Sequence, residues 1–347
     1  MIRSRKLWAL YGVLAGANAA AWFWAWSAFA HRPALLGLAL LAWVFGLRHA
    51  VDADHIAAID NAVRKLMQDG RRPIGVGFYF SLGHSTVVIL VSVVVAAAAG
   101  SLQGRWDALQ AVGSVIGTTV SAAFLLLIAL ANLAVLPGIW RSFRAVARGG
   151  AVDQQALETL LNGRGLLARV LRPVFRAVSR SWHMYPVGFL FGLGFDTATE
   201  VGVLGIAATQ AAQGVSAWHI LVFPTLFTVG MSLIDTLDGV LMVGVYSWAF
   251  VRPLRKLWYN LTITAASVIV ALVIGGVEAL GMIGGELGLH GGIWAPIAAL
   301  NDDMATVGFL VIGIFVLVWG ASAALYRWRG GDALSQLALA ETQEQSR

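Results

Sequence analysis

The sequence predicts an all-α integral membrane protein with eight transmembrane helices. Three observations carry that prediction. The 347-residue chain is 59% hydrophobic and only 12% charged, a composition of membrane-spanning rather than soluble chains. Apolar segments long enough to span recur at 7–29, 34–60, 74–99, 110–140, 183–208, 217–250, 258–283 and 304–327. Runs of this length, rich in Leu and Ala, suit helices rather than barrel strands. Finally, of 24 Lys and Arg residues, only Arg32 and Arg105 fall on one side of the implied membrane, with Arg48 inside it.

The first segment follows Arg3, Arg5 and Lys6. It is long, and no convincing small-residue cleavage site follows it, so it reads as a retained span rather than a signal peptide. Several segments exceed the roughly 20 residues a helix needs, so tilt, breaks or extension into water are expected. Arg64, Lys65, Arg71 and Arg72 follow the second span, eight Arg lie in 141–182, and Arg252, Arg255 and Lys256 follow the sixth. The positive-inside rule assigns these connections and both termini to the cytoplasm. It also accounts for the net charge of +6 without a nucleic-acid partner. The absence of Cys excludes disulfides and thiolate metal sites.

The chain therefore reads as one polytopic domain, 1–347, with 141–182 as an Arg-rich cytoplasmic linker between halves and 328–347 as a polar cytoplasmic tail. Phe45-Gly46-Leu47 precedes one polar cluster and Phe191-Gly192-Leu193 another, and Gly83-His84-Ser85 has a counterpart in Gly230-Met231-Ser232. This faint repeat predicts two inverted three-helix units, spans 2–4 and 5–7, an arrangement of transporters that places a site where the units meet.

The polar clusters lie within those spans. In Arg48-His-Ala-Val-Asp-Ala-Asp-His55, five residues of three types that membranes disfavour crowd together. A charge at the bilayer centre costs about 2.5–3.5 kcal/mol on insertion scales, so such groups persist when paired, hydrated or binding something. At about 100° per residue, His49, Asp52 and His55 share one helical arc with Arg48, while Asp54 points to the far side. Two imidazoles and a carboxylate on one face make half a site for a divalent transition metal. His49 and His55 would be about 9 Å apart along an unbroken helix at 1.5 Å per residue. Either the helix unwinds there or other helices complete the site.

The third span carries Ser81, His84 and Ser85 on one face, about 15 Å deep at 1.5 Å per residue. Asp196, Thr199 and Glu200 share a face of the fifth, where two acids one turn apart repel unless a cation or protons intervene. Ser232, Asp235 and Asp238 step along the sixth, with Asp235 the better interior candidate. Six deep carboxylates against Arg48 make a cavity that draws in a dication, and metal binding there gives a chemical route to proton release. His31, His183, His219 and His290 read as interfacial, and Glu278, Glu286, Asp302 and Asp303 as outer-loop charges.

In this order the motifs RHAVDADHI (48–56), LGHSTVV (82–88), LGFDTATE (193–200) and GMSLIDTLDG (230–239) resemble those of the nickel/cobalt transporter (NiCoT) family of bacterial permeases. The resemblance implies eight spans with cytoplasmic termini and uptake of Ni²⁺, Co²⁺ or both as transported substrate, without a cofactor. It implies that the second-span residues His49, Asp52, Asp54 and His55 are essential. His84, Asp196, Glu200 and Asp235 complete the expected metal-binding set, with Arg48, Ser85, Thr199 and Ser232 in support. The expected protein is a secondary permease of the bacterial cytoplasmic membrane, its partners the metal ion and the lipid bilayer. Imidazole with carboxylate suits Ni²⁺, Co²⁺ and Zn²⁺ rather than Mg²⁺ or Ca²⁺. The alternative is an intramembrane metalloenzyme using the same His/Asp cluster, although no H-E-x-x-H occurs.

Overall fold

The apolar run after Pro33 ends in Arg48 and His49, and the helix ends with it. In the computed structural model, which describes residues 5–97, 106–147, 178–194, 197–249 and 253–328, α2 (Pro33–His49) stops there. α3 (Ala53–Gln68) restarts after a three-residue break, and the pair is bent by 51°. Asp52 occupies the N-cap position of α3, with extended backbone at φ −61° and ψ 145°, but its side chain makes no cap hydrogen bond and turns to His49 instead.

The described residues are helical, without strands. α1 (Arg5–Phe29) leads into α2 and α3, followed by α4 (Val76–Ala97) and α5 (Trp106–Ala147). The second half has the short α6 (Met184–Phe191) and α7 (Ala198–Ala212), the turn α8 (Ala217–Ile220) running into α9 (Val222–Ala249), then α10 (Pro253–Glu286), α11 (Trp294–Asp302) and α12 (Met304–Trp328). Four helices are long and apolar enough to cross a membrane, within Val76–Ala96, Thr118–Arg144, Ala217–Ser247 and Leu261–Glu286. There are six if the bent pairs α2/α3 and α11/α12 each count as one. α1 has the length but falls outside this group, because its tryptophans, glycines and Asn18 lower its hydropathy.

The continuous span expected over 183–208 is instead two short helices, α6 ending at Phe191 and α7 starting at Ala198. Gly192 and Gly194 follow the end of α6, and the Thr197 side chain caps α7 by accepting from the Glu200 backbone N–H. Arg64, expected in a cytoplasmic connection, lies inside α3 and is buried. The helix continues past the apolar segment because its Ala, Ile and Val face packs onto α4 and α9. Glu278, expected in an outer loop, is buried on α10 and accepts a hydrogen bond from Ser121 of α5 at 3.0 Å. The 141–182 linker is described only at its two ends, and the tail only at Trp328.

Large apolar side chains face outward: Leu90, Val93 and Val94 on α4, Ile269 and Val273 on α10, Phe309, Leu310 and Leu317 on α12. On α4 the polar Ser81, His84, Ser85 and Ser92 are buried. An apolar exterior around a polar interior is what lipid selects.

Glycines let the helices that hold the site approach backbone to backbone. A Cβ at Gly46 of α2 would overlap the Phe227 carbonyl of α9, and one at Gly83 of α4 would overlap the Tyr185 carbonyl of α6. Helix packing in membranes relies on such small residues. The bent helix of the first half thus seats on α9, and the short α6 of the second half seats on α4.

Candidate metal centre

His49 ends α2, His55 lies in the first turn of α3, and His84 sits midway along α4. The break between α2 and α3 folds the two histidines of one motif toward each other, and α4 brings the third. Ring centroids lie 4.6 Å apart for His49–His55, 4.8 Å for His49–His84 and 4.9 Å for His55–His84. Each imidazole offers a ring nitrogen, and these atoms all lie within 4.8 Å of one another. All three residues are at most 3% exposed. Phe227 stands 5.4 Å from the His49 ring and Phe80 4.9 Å from His55, so aromatic walls flank the cluster.

Carboxylates hold the rings. His49 Nδ1 is 3.1 Å from Asp52 Oδ2, and His55 Nδ1 is 3.3 Å from Asp235 Oδ1 on α9. An ionised carboxylate only accepts, so the network assigns the proton of each ring to Nδ1. Both Nε2 lone pairs are then left as ligands. His55 Nε2 is buried and has no hydrogen-bond partner. Carboxylate–imidazole pairs of this kind fix the tautomer and orientation of metal ligands. Thr199 and Thr197 hydroxyls lie 3.2 and 3.3 Å from His49 Nδ1.

His84 Nε2 lies 2.7 Å from Glu200 Oε1 and 3.0 Å from His49 Nε2. One proton on His84 Nε2 donates to Glu200 and faces the His49 lone pair. With its proton on Nδ1 instead, His84 would offer the Nε2 lone pair to a metal ion. With metal–imidazole bonds of about 2.0–2.1 Å, nitrogens at right angles around one ion sit about 3 Å apart, the spacing already present between His49 and His84. Glu200 is in reach because Thr197 caps the start of α7, its hydroxyl accepting from the Glu200 backbone N–H. Thr197 Oγ1 also donates to Glu200 Oε2 at 3.1 Å, which leaves the other oxygen for His84.

Of the residues expected from sequence, His49, His55, His84, Asp52, Glu200, Asp235 and Thr199 converge here. Asp196 lies outside the described residues. Asp54, in the first turn of α3, has a buried Oδ1 without a hydrogen-bond partner. Ser85 is buried with its hydroxyl likewise unpartnered. Ser232 bonds to Ser81 at 3.0 Å and ties α9 to α4 rather than reaching a histidine. Arg48 departs from expectation. The break takes Asp52 and His55 off the helical arc it shares, and it pairs at 3.8 Å with Asp303, both side chains about half exposed. Sequence reasoning missed Thr197, whose T-x-x-E spacing was available, and the aromatic walls Phe80 and Phe227, which no motif marks.

A family model described as NicO, high-affinity nickel-transport protein, matches residues 35–325. The chain belongs to this family. Its NicO relatives include a high-affinity nickel transport protein of Cupriavidus necator, 55% identical over 94% of this chain and 93% of that protein. The hydrogenase nickel incorporation protein HupN of Bradyrhizobium diazoefficiens is 57% identical over 92% of this chain and 83% of its own length. A relative with a different printed substrate is the cobalt transport protein NhlF of Rhodococcus rhodochrous, 40% identical over 82% of this chain and 81% of that protein. No solved structure matches. NicO membership bears out the motif resemblance, and these are names of transporters, which leave the metalloenzyme alternative without support.

Proposed function

We propose that the protein is a permease carrying Ni²⁺, Co²⁺ or both into the cell across the bacterial cytoplasmic membrane. The observation that carries this reading is the convergence of His49, His55 and His84, each presenting a nitrogen to one buried space. Asp52, Asp235 and Glu200 act as orienting or ligating carboxylates. That donor set favours late first-row dications over hard cations. The relatives' printed substrates, nickel and cobalt, agree with it.

The same reading takes eight passes, through α1, α2/α3, α4, α5, α6/α7, α8/α9, α10 and α11/α12; that even number puts both termini on one face, the cytoplasmic one by the distribution of Arg and Lys. The inverted units 2–4 and 5–7 gain support from their glycine contacts. Gly46 on Phe227 in one direction is mirrored by Gly188 on Phe80 in the other, and those two phenylalanines wall the site. A single polytopic domain, with 141–182 joining the halves, completes the scheme.

The test is uptake of radiolabelled Ni²⁺ by proteoliposomes containing the intact chain, with His49→Ala and His55→Ala beside it. Uptake by the unaltered protein and its loss in both variants, with insertion intact, is expected. Wild-type uptake in both variants refutes the site.

A further inference from the structure

Beyond the imidazole cluster, α3 carries a second buried polar group that metal binding does not use. Asp60, Asn61 and Arg64 are each at most 1% exposed. Asp60 accepts from Ser267 Oγ of α10 at 2.7 Å and from the Tyr246 hydroxyl of α9. Arg64 Nη2 donates to Asn61 Oδ1 at 2.6 Å and stands 3.8 Å from Asp60 Oδ2. Asn132 of α5 donates to the same Asn61 oxygen at 3.0 Å. A carboxylate–guanidinium pair on the metal-bearing helix is thus tied to three others. Asp60 follows His55 by about 7.5 Å along the helix at 1.5 Å per residue. Beside it, Ile59, Val63, Phe80 and Val243 pack the α3/α4/α9 interface shut.

The network is unsaturated. Among the described residues, Arg64 Nε and Nη1 are shielded from solvent without a hydrogen-bond partner. Buried polar groups in native proteins are nearly always paired, so an orphaned guanidinium edge calls for a reason. A half-satisfied network holds one arrangement while leaving another within reach. Asp238, whose Oδ2 is buried and without a hydrogen-bond partner among the described residues, follows Asp235 by three residues on α9.

Resting on the transport reading above, we propose that Asp60 and Arg64 are positioning residues for ion release: together they latch α3 onto α5, α9 and α10, closing the inward route until an ion passing from Asp235 toward Asp238 competes with Arg64 for Asp60 and loosens their pairing. The chain has no Cys, so a single reporter thiol is specific. In full-length protein in nanodiscs, Val63→Cys is labelled with a membrane-impermeant maleimide, with and without Ni²⁺. Labelling should be slow without metal and rise about fivefold with it, and Asp60→Asn should make it fast in both conditions. Tyr246→Phe, which removes one hydrogen bond and no charge, should raise the metal-free rate about two- to threefold.

In proteoliposomes, Asp60→Asn should lower kcat for Ni²⁺ uptake about tenfold with KM changed less than about threefold, because a route that does not re-close cannot complete the cycle. Ni²⁺ binding by calorimetry should stay within about threefold of the unaltered protein. Metal-independent labelling that Asp60→Asn leaves unchanged overturns the latch, as does parallel loss of binding and uptake. Failure of the unaltered protein to bind Ni²⁺ overturns the metal-site reading instead, a separate result.

Discussion

Removing the carboxylate behind His55 tests the site at the point where its geometry says most. Asp235→Ala leaves His55 in place but frees its Nδ1–H, so the ring loses its tautomer and its aim. Loss of such an outer partner typically weakens metal binding about 10–100-fold, about 1.4–2.8 kcal/mol. The His55–Asp235 separation of 3.3 Å is at the long end for a charged N–H···O bond, which places the expected loss in the lower half, about 10–30-fold. Asp235→Asn keeps an oxygen that can accept the same proton and removes only the charge, so it should weaken binding less than Asp235→Ala. Both are measured by Ni²⁺ titration calorimetry on protein in nanodiscs, with thermal unfolding as the check on folding. If Asp235→Ala folds normally and binds Ni²⁺ within about twofold of the unaltered protein, the assignment of His55 Nε2 as a ligand fails.

Ni²⁺ binding should displace protons that compete with it for the imidazole lone pairs, so affinity should fall as pH is lowered. A pH indicator in weakly buffered calorimetric samples reads the release, and pH-independent affinity with none released counts against it. Gly83→Val should cost more than the about 1–3 kcal/mol of ordinary overpacking, because its Cβ would meet the Tyr185 carbonyl and the Phe189 backbone nitrogen, not a movable side chain. Gly37→Val, which meets nothing within 4 Å, should leave the unfolding temperature near its starting value. Equal effects of the two would contradict the α4–α6 contact.

Much of the site was legible because lipid makes polar residues conspicuous. His49, His55, His84, Glu200 and Asp235 stand out within apolar runs, and periodicity alone showed that one straight helix could not bring His49 to His55. What it left open was the remedy, and both alternatives hold: the helix breaks at 50–52 and α4 adds His84. Arg48 was misread for the same cause, since the arc computed for a continuous helix ends where the break begins. Arg64 was assigned to a connection by charge counting, which registers the presence of a cation but not its Asp60 partner one turn earlier. The interruption of 183–208 was hidden because Gly-rich turns inside an apolar stretch leave mean hydropathy nearly unchanged. Phe80 and Phe227 were invisible for a simpler reason: an aromatic ring in a membrane helix carries no signal until its neighbours are known.

The exchange of seats between halves also bears on how the protein is made. His49 and Asp52 emerge from the ribosome early, but His55 waits for Asp235, 180 positions later. At about 5–20 residues per second, that interval is about 9–36 s. Throughout it, newly inserted α2 and α3 hold imidazoles and acids whose long-range counterparts have not yet been synthesised. Nascent chains of this protein therefore pass through a stage in which water or an insertion factor must shelter the first motif, and chains halted before α9 should be the ones that quality-control proteases remove.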